Sequence, residues 1–204
     1  GFTWKNYAEI FTNRQLYTSI LDSLLVSFWA TVFATVGGLF ASIGIHALEK
    51  KARKTMDFLN EIPMLNSEIV TGISIMLVCS LVKPIFPHIF GFASMTLAHV
   101  FFMIPYVILM VLPKLEQMDE AVFEAAQDLG CSPTKSLFKV VIPSLSTAIL
   151  TGALIAFTLS IDDFVISYFT AGSEVSTLAM QIYAMTRKRI SPEVNALSTI
   201  LFVV

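Results

Sequence analysis

The chain has 204 residues, of which 55% are hydrophobic and 14% are charged, and its mean hydropathy is +0.75. A soluble domain carries about 25% charged residues, so this composition excludes an ordinary soluble protein and indicates an integral membrane protein. The formal net charge of −2 offers no basic surface for nucleic acid. The three histidines and two cysteines lack the spacing of metal ligands, so we expect no metal or redox site.

The first predicted span is the uncharged stretch Ser23–Leu48, which has 26 residues. As a helix rising about 1.5 Å per residue, it is long enough to cross a hydrocarbon core of roughly 30 Å. Residues 1–19, which precede it, are rich in aromatic side chains, as is typical of an interfacial segment or of a loop that packs on the bundle. Small residues in the second half of the span predict close packing on another helix: Gly37, Gly38, Ala41, Ser42 and Gly44.

The second crossing is ambiguous in length. A basic cluster at residues 50–54 favours a cytoplasmic end for the first span, although basic residues divide almost evenly between the two sides. The next uncharged stretch, Ile69–Val82, has 14 residues, which fits a short span or a re-entrant segment. Starting this helix at Ile62 places Glu68 inside the span. Alternatively, residues 66–68 begin a capped helix, whose dipole favours the Glu68 carboxylate.

A third crossing is predicted over residues 93–112, with a kink at Pro105 and an end at Pro113. The short proline-rich turn at residues 83–88 predicts that the second and third crossings are antiparallel neighbours.

Between residues 114 and 139 the apolar density drops, and the pattern predicts a helix, a sharp turn and a second helix. Asp119 is the predicted N-cap, Gly130 is the predicted left-handed C-cap, and Ser132-Pro133 opens the next helix. Pro143 is expected to break that second helix, where a fourth crossing over residues 144–161 begins. Apolar residues at three- and four-residue spacing define one stripe on the first helix: Val122, Phe123, Ala126 and Leu129.

Two adjacent carboxylates, Asp162 and Asp163, follow the fourth apolar run and precede another, Phe164–Ala171. A carboxylate at the middle of a membrane costs about 2.5 to 3.5 kcal/mol on insertion scales, so an embedded one is a functional hypothesis by default. Because neighbouring residues on a helix point about 100° apart, we expect one of the two to face a pathway. The alternative is a solvated pair at a helix end. Tyr168 offers a ring face to a cation, or serves as an interfacial belt residue.

Beyond the break at Gly172-Ser173, residues 175–186 predict an amphipathic helix on the outer side. Ser191-Pro192 is expected to start a last crossing, which occupies Val194–Val204. The first residue is not Met and the last run has no polar flank, which predicts a fragment of a longer subunit.

The segment Glu124-Ala125-Ala126-Gln127-Asp128-Leu129-Gly130, with Val140-Val141-Ile142-Pro143 after it, resembles the cytoplasmic EAA loop of ABC importer permeases. Val140 and Ile142 depart mildly from the family's usual Ile and Leu. Residues 156–164 (AFTLSIDDF), 169–172 (FTAG) and 190–197 (ISPEVNAL) are similar to the second permease subunit of spermidine/putrescine importers. The likeness covers essentially the whole chain.

This resemblance implies an all-α integral membrane protein, the permease of a type I ABC importer. It would be a multi-span helical bundle of the bacterial inner membrane with a cytoplasmic coupling helix. Residues 1–204 would form one transmembrane domain, from about the second span to the start of the sixth, with a coupling loop at 114–143. The implied partners are a homologous second permease, two ATP-binding subunits and a periplasmic or lipid-anchored binding protein. The chain has no Gly-x-x-x-x-Gly-Lys-Ser/Thr sequence. ATP and Mg are therefore expected in the partner ATPase, and this chain is expected to be a transport subunit with no catalytic residues or cofactor of its own.

Two groups of site residues follow. The predicted ATPase-coupling residues are Glu124, Ala125, Ala126, Gly130 and Pro143, because an acidic helix is disfavoured against anionic lipid headgroups and small residues permit close insertion into a protein cleft. A polycation needs carboxylates along its route, and the predicted substrate-pathway residues are Glu68, Ser160, Asp162, Asp163 and Tyr168.

The alternatives are an ABC permease for another small substrate, a secondary transporter that uses these carboxylates as proton or sodium sites, and a membrane scaffold.

Overall fold

The computed structural model describes residues 14–86, 89–172 and 175–188, and every regular element within these ranges is helical. The chain forms two compact units. Unit 1 takes its described residues from 14–29, 68–98 and 160–188, and unit 2 comprises 30–67 and 99–159. The helices are α1 (Arg14–His46), α2 (Lys50–Leu65), α3 (Glu68–Val82), α4 (Phe92–Glu116), α5 (Glu120–Asp128), α6 (Pro133–Ser136), a π-helical segment (Leu137–Val141), α7 (Ile142–Ser144), α8 (Ser146–Asp162), α9 (Val165–Thr170) and α10 (Leu178–Lys188).

Two of the described helices, α1 and α4, are long and apolar enough to cross a membrane. The number rises to four if α2 with α3, and residues 133–144 with α8, each count as one broken span. Helix α1 (Arg14–His46) has 33 residues and extends nine residues before the predicted start at Ser23, so Asp22 lies inside it. The predictions for residues 1–13 and for the last crossing lie outside the described residues.

The predicted extension of the second crossing back to Ile62 is wrong, because the helix is interrupted between Leu65 and Glu68. Helix α2 is polar, since six of its 16 residues are charged, and it is too polar to be a span by itself. Glu68 is instead the first residue of α3, as in the alternative prediction of a helix start there.

The predicted end of the third crossing at Pro113 is also wrong, since α4 continues to Glu116. A proline removes only its own amide, and its carbonyl still accepts a hydrogen bond. The Pro113 carbonyl accepts from the amide of Gln117 at 3.2 Å, so the helix keeps one more turn. Pro105 also lies within α4.

In unit 2, the small residues of α1 allow a close approach to α4, as the sequence predicts. A Cβ added at Gly38 would lie 2.6 Å from Cβ of Val107, and one added at Gly37 would lie 3.4 Å from Cδ1 of Ile104. A Cβ added at Gly44 would have no atom within 4 Å, so Gly44 takes no part in this contact.

In unit 1, short helices pack on the ends of longer ones. Helix α9 packs on α3 at Gly72, where an added Cβ would lie 2.9 Å from the Phe169 ring. Helix α10 packs on the first turns of α1 through Leu16 and Leu178, which are both buried. The amphipathic helix predicted for residues 175–186 therefore exists, with bounds Leu178–Lys188.

We predict that Gly38→Ala destabilises the protein by about 1–3 kcal/mol, because the added methyl group overlaps Val107 in the α1–α4 contact. Thermal unfolding of the purified protein in detergent measures this change. Gly44→Ala is the matched control, and it should leave stability unchanged or raise it by about 0.5–1 kcal/mol, since alanine is the better helix former. Equal shifts for both variants would contradict the packing role of Gly38.

Candidate functional site

The first half of the loop at residues 114–143 is a short helix with both ends capped. The Asp119 carboxylate accepts a hydrogen bond from the amide of Ala121 at 2.9 Å and so begins α5. Gly130 ends the turn with φ +86, and the amide of Cys131 returns to the carbonyl of Ala126 at 3.1 Å. A positive φ of this size favours glycine, so the predicted N-cap and C-cap are both confirmed.

The second half begins at Ser132, whose hydroxyl accepts from the Lys135 amide at 3.4 Å, with Pro133 as the first helical residue. This start is confirmed, but the π-helical segment that follows was not predicted. There the amide of Ile142 bonds to the carbonyl of Leu137, five residues back, immediately before Pro143. The break expected at Pro143 occurs just after it, since the helix ends at Ser144 and α8 starts after a bend of 66°.

We call residues 119–133 the elbow. Glu124 and Ala125 are exposed on it, whereas Ala126 is buried. The predicted apolar stripe is only partly covered, because Phe123 is half-buried and Ala126 is buried, whereas Leu129 is 88% exposed and Val122 is 43% exposed. The structure thus brings Glu124, Ala125, Ala126 and Gly130 together on one capped turn, while Pro143 stands farther along in α7.

The two aspartates have different environments. Asp163 is buried, and its carboxylate accepts hydrogen bonds from the amides of Ile166 at 3.2 Å and Ser167 at 2.8 Å. This carboxylate therefore satisfies the first free amides of α9. Asp162 is the last residue of α8 and is exposed. Of the pair, Asp162 is thus the carboxylate that is open to a ligand.

A row of aromatic rings follows Asp162 in unit 1. Tyr168 is 58% exposed, and its ring centroid lies 5.5 Å from that of Phe164 and 5.7 Å from that of Phe169. The Phe164 ring also packs on the Tyr183 ring of α10, with 4.5 Å between the centroids and a tilt of 35°, a contact that sequence reasoning missed. The amphipathic pattern of residues 175–186 predicts a helix that contains Tyr183. It does not predict that the Tyr183 ring contacts Phe164.

The remaining predicted pathway residues are Ser160 and Glu68, both in unit 1. Ser160 is buried in the last turn of α8. Glu68 is exposed at the start of α3, one helical turn before Gly72, where α3 meets α9. Glu68 and Asp163 therefore each lie within about one turn of the same helix contact. Among the described residues, no group of three His, Cys, Asp or Glu side chains is arranged to hold a metal ion.

Residues 34–204 match the family described as the binding-protein-dependent transport system inner membrane component, and the chain belongs to this family. It is 32% identical to the spermidine/putrescine transport system permease protein PotC of Haemophilus influenzae, across 100% of this chain and 77% of the relative. It is 31% identical to the putrescine transport system permease protein PotI of Escherichia coli, across 98% of this chain and 73% of the relative.

Solved structures support the same fold. The chain superposes on a bacterial ABC transporter involved in alginate import with a TM-score of 0.78 and 12% identity, covering 98% of this chain and 78% of that one. A second match is an amino acid ABC transporter, with a TM-score of 0.66 and 17% identity, covering 99% and 92%. The predicted fold class, an all-α ABC importer permease embedded in the membrane, is therefore confirmed.

We predict that Asp163→Ala lowers the free energy of unfolding by about 1 kcal/mol, because it leaves two buried amides of α9 without their acceptor. Asp162→Ala should change it by less than about 0.5 kcal/mol, since Asp162 is exposed. Thermal unfolding of the two variants, purified side by side in detergent, measures the difference. A larger shift for Asp162→Ala would refute the capping role of Asp163.

Proposed function

We propose that this chain is a permease subunit of an ATP-driven ABC importer for polyamines, spermidine or putrescine, and forms half of the translocation pathway. The observation that carries this proposal is the capped elbow, which leaves Leu129 and Glu124 exposed in a chain of the binding-protein-dependent permease family. Exposed apolar side chains next to carboxylates fit a protein partner better than an anionic lipid surface. The polyamine assignment is supported by the similarity to PotC and PotI, whose names describe permeases for spermidine/putrescine and for putrescine.

In this proposal, the elbow docks on one of two ATP-binding subunits. Glu124 and Ala125 meet the partner, Ala126 holds α5 to this chain, and Gly130 fixes the turn. When the ATP-binding subunits close, loop 114–143 moves as a rigid lever and tilts the adjoining helices. Pro143 lies next to the bend between α7 and α8, where the loop joins the following helix. ATP and Mg are bound by that partner, since the sequence of this chain contains no phosphate-cradling loop.

The cargo pathway is proposed to use Asp162 as the charged contact and Tyr168 as a ring face for an ammonium group. Both are exposed, and a cation over an aromatic ring gains about 0.5–2 kcal/mol. Glu68 would supply a second carboxylate, which suits a substrate with two or more ammonium groups. Asp163 and Ser160 are buried, so their proposed role is to shape the pathway rather than to contact the cargo.

The proposed assembly comprises a homologous second permease, two ATP-binding subunits and a periplasmic or lipid-anchored binding protein in the inner membrane. Membership of a family of inner membrane components supports this location and these partner classes. The binding protein would deliver the polyamine to the outward-facing side of the permease pair.

The cargo assignment predicts that Asp162→Asn lowers kcat/KM for putrescine uptake by about twofold to fivefold, through loss of one exposed charge–charge contact. Uptake of labelled putrescine into proteoliposomes that hold the complete transporter and trapped ATP measures this. Asp162→Glu, which keeps the charge, should retain most of the uptake. Uptake that needs no ATP and collapses with an ion gradient would instead indicate a secondary transporter.

The coupling assignment predicts that Gly130→Val reduces uptake severalfold while ATP hydrolysis continues, because a β-branched residue is strained at φ +86 and distorts the turn. Gly130→Asn is the matched control, since asparagine tolerates this backbone region and should stay close to wild type. Hydrolysis and uptake are measured in the same proteoliposomes. Full uptake by the valine variant would argue against the lever.

A further inference from the structure

Helix α2 is attached to the second half of α4 at two points, both within unit 2. A guanidinium nitrogen of Arg53 lies 3.3 Å from a carboxylate oxygen of Glu116, and the Asn60 side-chain amide donates to the carbonyl of Pro105 at 3.2 Å. The earlier residue on α2, Arg53, pairs with the later residue on α4, Glu116, and the later residue on α2, Asn60, pairs with the earlier one on α4, Pro105. The two helices therefore run antiparallel here. Arg53 and Asn60 are two helical turns apart and therefore share one face of α2.

Arg53 also reaches a third helix. Its second terminal nitrogen donates to the carbonyl of His46, the last residue of α1. The last carbonyls of a helix lack partners within that helix, and their partial negative charge attracts a cation. One side chain on α2 therefore holds the C-terminal ends of both α1 and α4.

The charges around Arg53 make this contact hard to replace. Asp57 and Glu61 stand on the same helix as Arg53, and Glu116 faces it. Burial raises the pKa of Asp57, as do the charges of Glu116 and Glu61, whereas Arg53 lowers that pKa. Arg53 thus offsets the mutual repulsion of these carboxylates, and its removal would leave that repulsion between α2 and the end of α4 unopposed. A lysine would keep the charge but lacks the forked geometry that serves two acceptors.

The position of Glu116 connects this cluster to the elbow, since only Gln117 and Met118 separate it from Asp119, the N-cap of α5. We propose that Arg53 is a positioning residue for energy coupling. It holds α2 to the C-terminal end of α4, so that the two helices move together as one rigid body when the elbow moves. This inference rests on the proposed function of the elbow as the contact with an ATPase. It assigns to α2 a part in transmitting the motion.

The test uses the complete transporter in proteoliposomes and measures the ratio of putrescine imported to ATP hydrolysed, per assembled complex. Arg53→Ala should lower this ratio by about threefold to tenfold while hydrolysis continues, as expected for loss of a partly shielded ion pair and a charged hydrogen bond. Arg53→Lys should give an intermediate ratio. Lys54→Ala, which removes an exposed neighbouring charge, is the matched control and should leave the ratio unchanged.

A charge exchange separates this positioning role from a general effect on folding. Arg53→Glu and Glu116→Arg should each lower the ratio more than Arg53→Ala, and the double variant should recover at least half of the loss. If Arg53→Ala fails to assemble, Glu116→Gln serves in its place, because it breaks the ion pair and leaves the contact with His46.

Two failures are distinguishable. A wild-type transporter that imports no putrescine with ATP overturns the proposed function, and the inference falls with it. A wild-type transporter that is active, with Arg53→Ala or Glu116→Gln fully coupled or with no recovery in the double variant, overturns the role of Arg53 alone.

Discussion

A backbone amide or carbonyl inside a bilayer has no water to bond, so each place where a helix breaks must supply a replacement partner. In unit 1, polar side chains take this role. The Asp163 carboxylate accepts from two amides at the start of α9, and the Ser94 hydroxyl donates to the carbonyl of Thr170 at 2.9 Å at its end. The Ser23 hydroxyl accepts from the amide of Leu178 at 2.7 Å, where α10 begins. Short helices can therefore pack against longer apolar ones.

The elbow uses the same chemistry for a different purpose. Asp119 and Ser132 cap helices there too, but their surroundings are exposed, and what they fix is the direction of two short helices on either side of the turn. Gly130 sets a turn that few other residues adopt. The proposed coupling role depends on this geometry, because a part that transmits force needs few internal degrees of freedom, and two capped helices about one fixed turn meet that need. The attachment of α2 to α4 through Arg53 extends the same reasoning into the helices next to the elbow.

Local signals were sufficient for the elbow, because caps and a C-terminal glycine act within four or five residues. They were insufficient at Pro113, where the proline carbonyl keeps the helix intact. At Glu68 they were ambiguous, since apolar length suggested a continuous span while residues 66–68 also predicted the helix start that the structure has. The burial of Asp163 depends on amides that only the fold of α9 presents to it. The contact between Arg53 and Glu116 joins residues 63 positions apart, and no spacing rule reaches that far.

The central claim is that the elbow seats in an ATP-binding subunit on the cytoplasmic side. The most direct measurement is site-specific crosslinking in the assembled transporter, with a cysteine at Ala125 in a background where Cys131 is replaced by serine. This account predicts a crosslink from position 125 to the ATP-binding subunit and none from a cysteine at Ile85, which is exposed before the opposite end of α4. No crosslink from position 125, or labelling of that position by an impermeant thiol reagent from the outside, would contradict it.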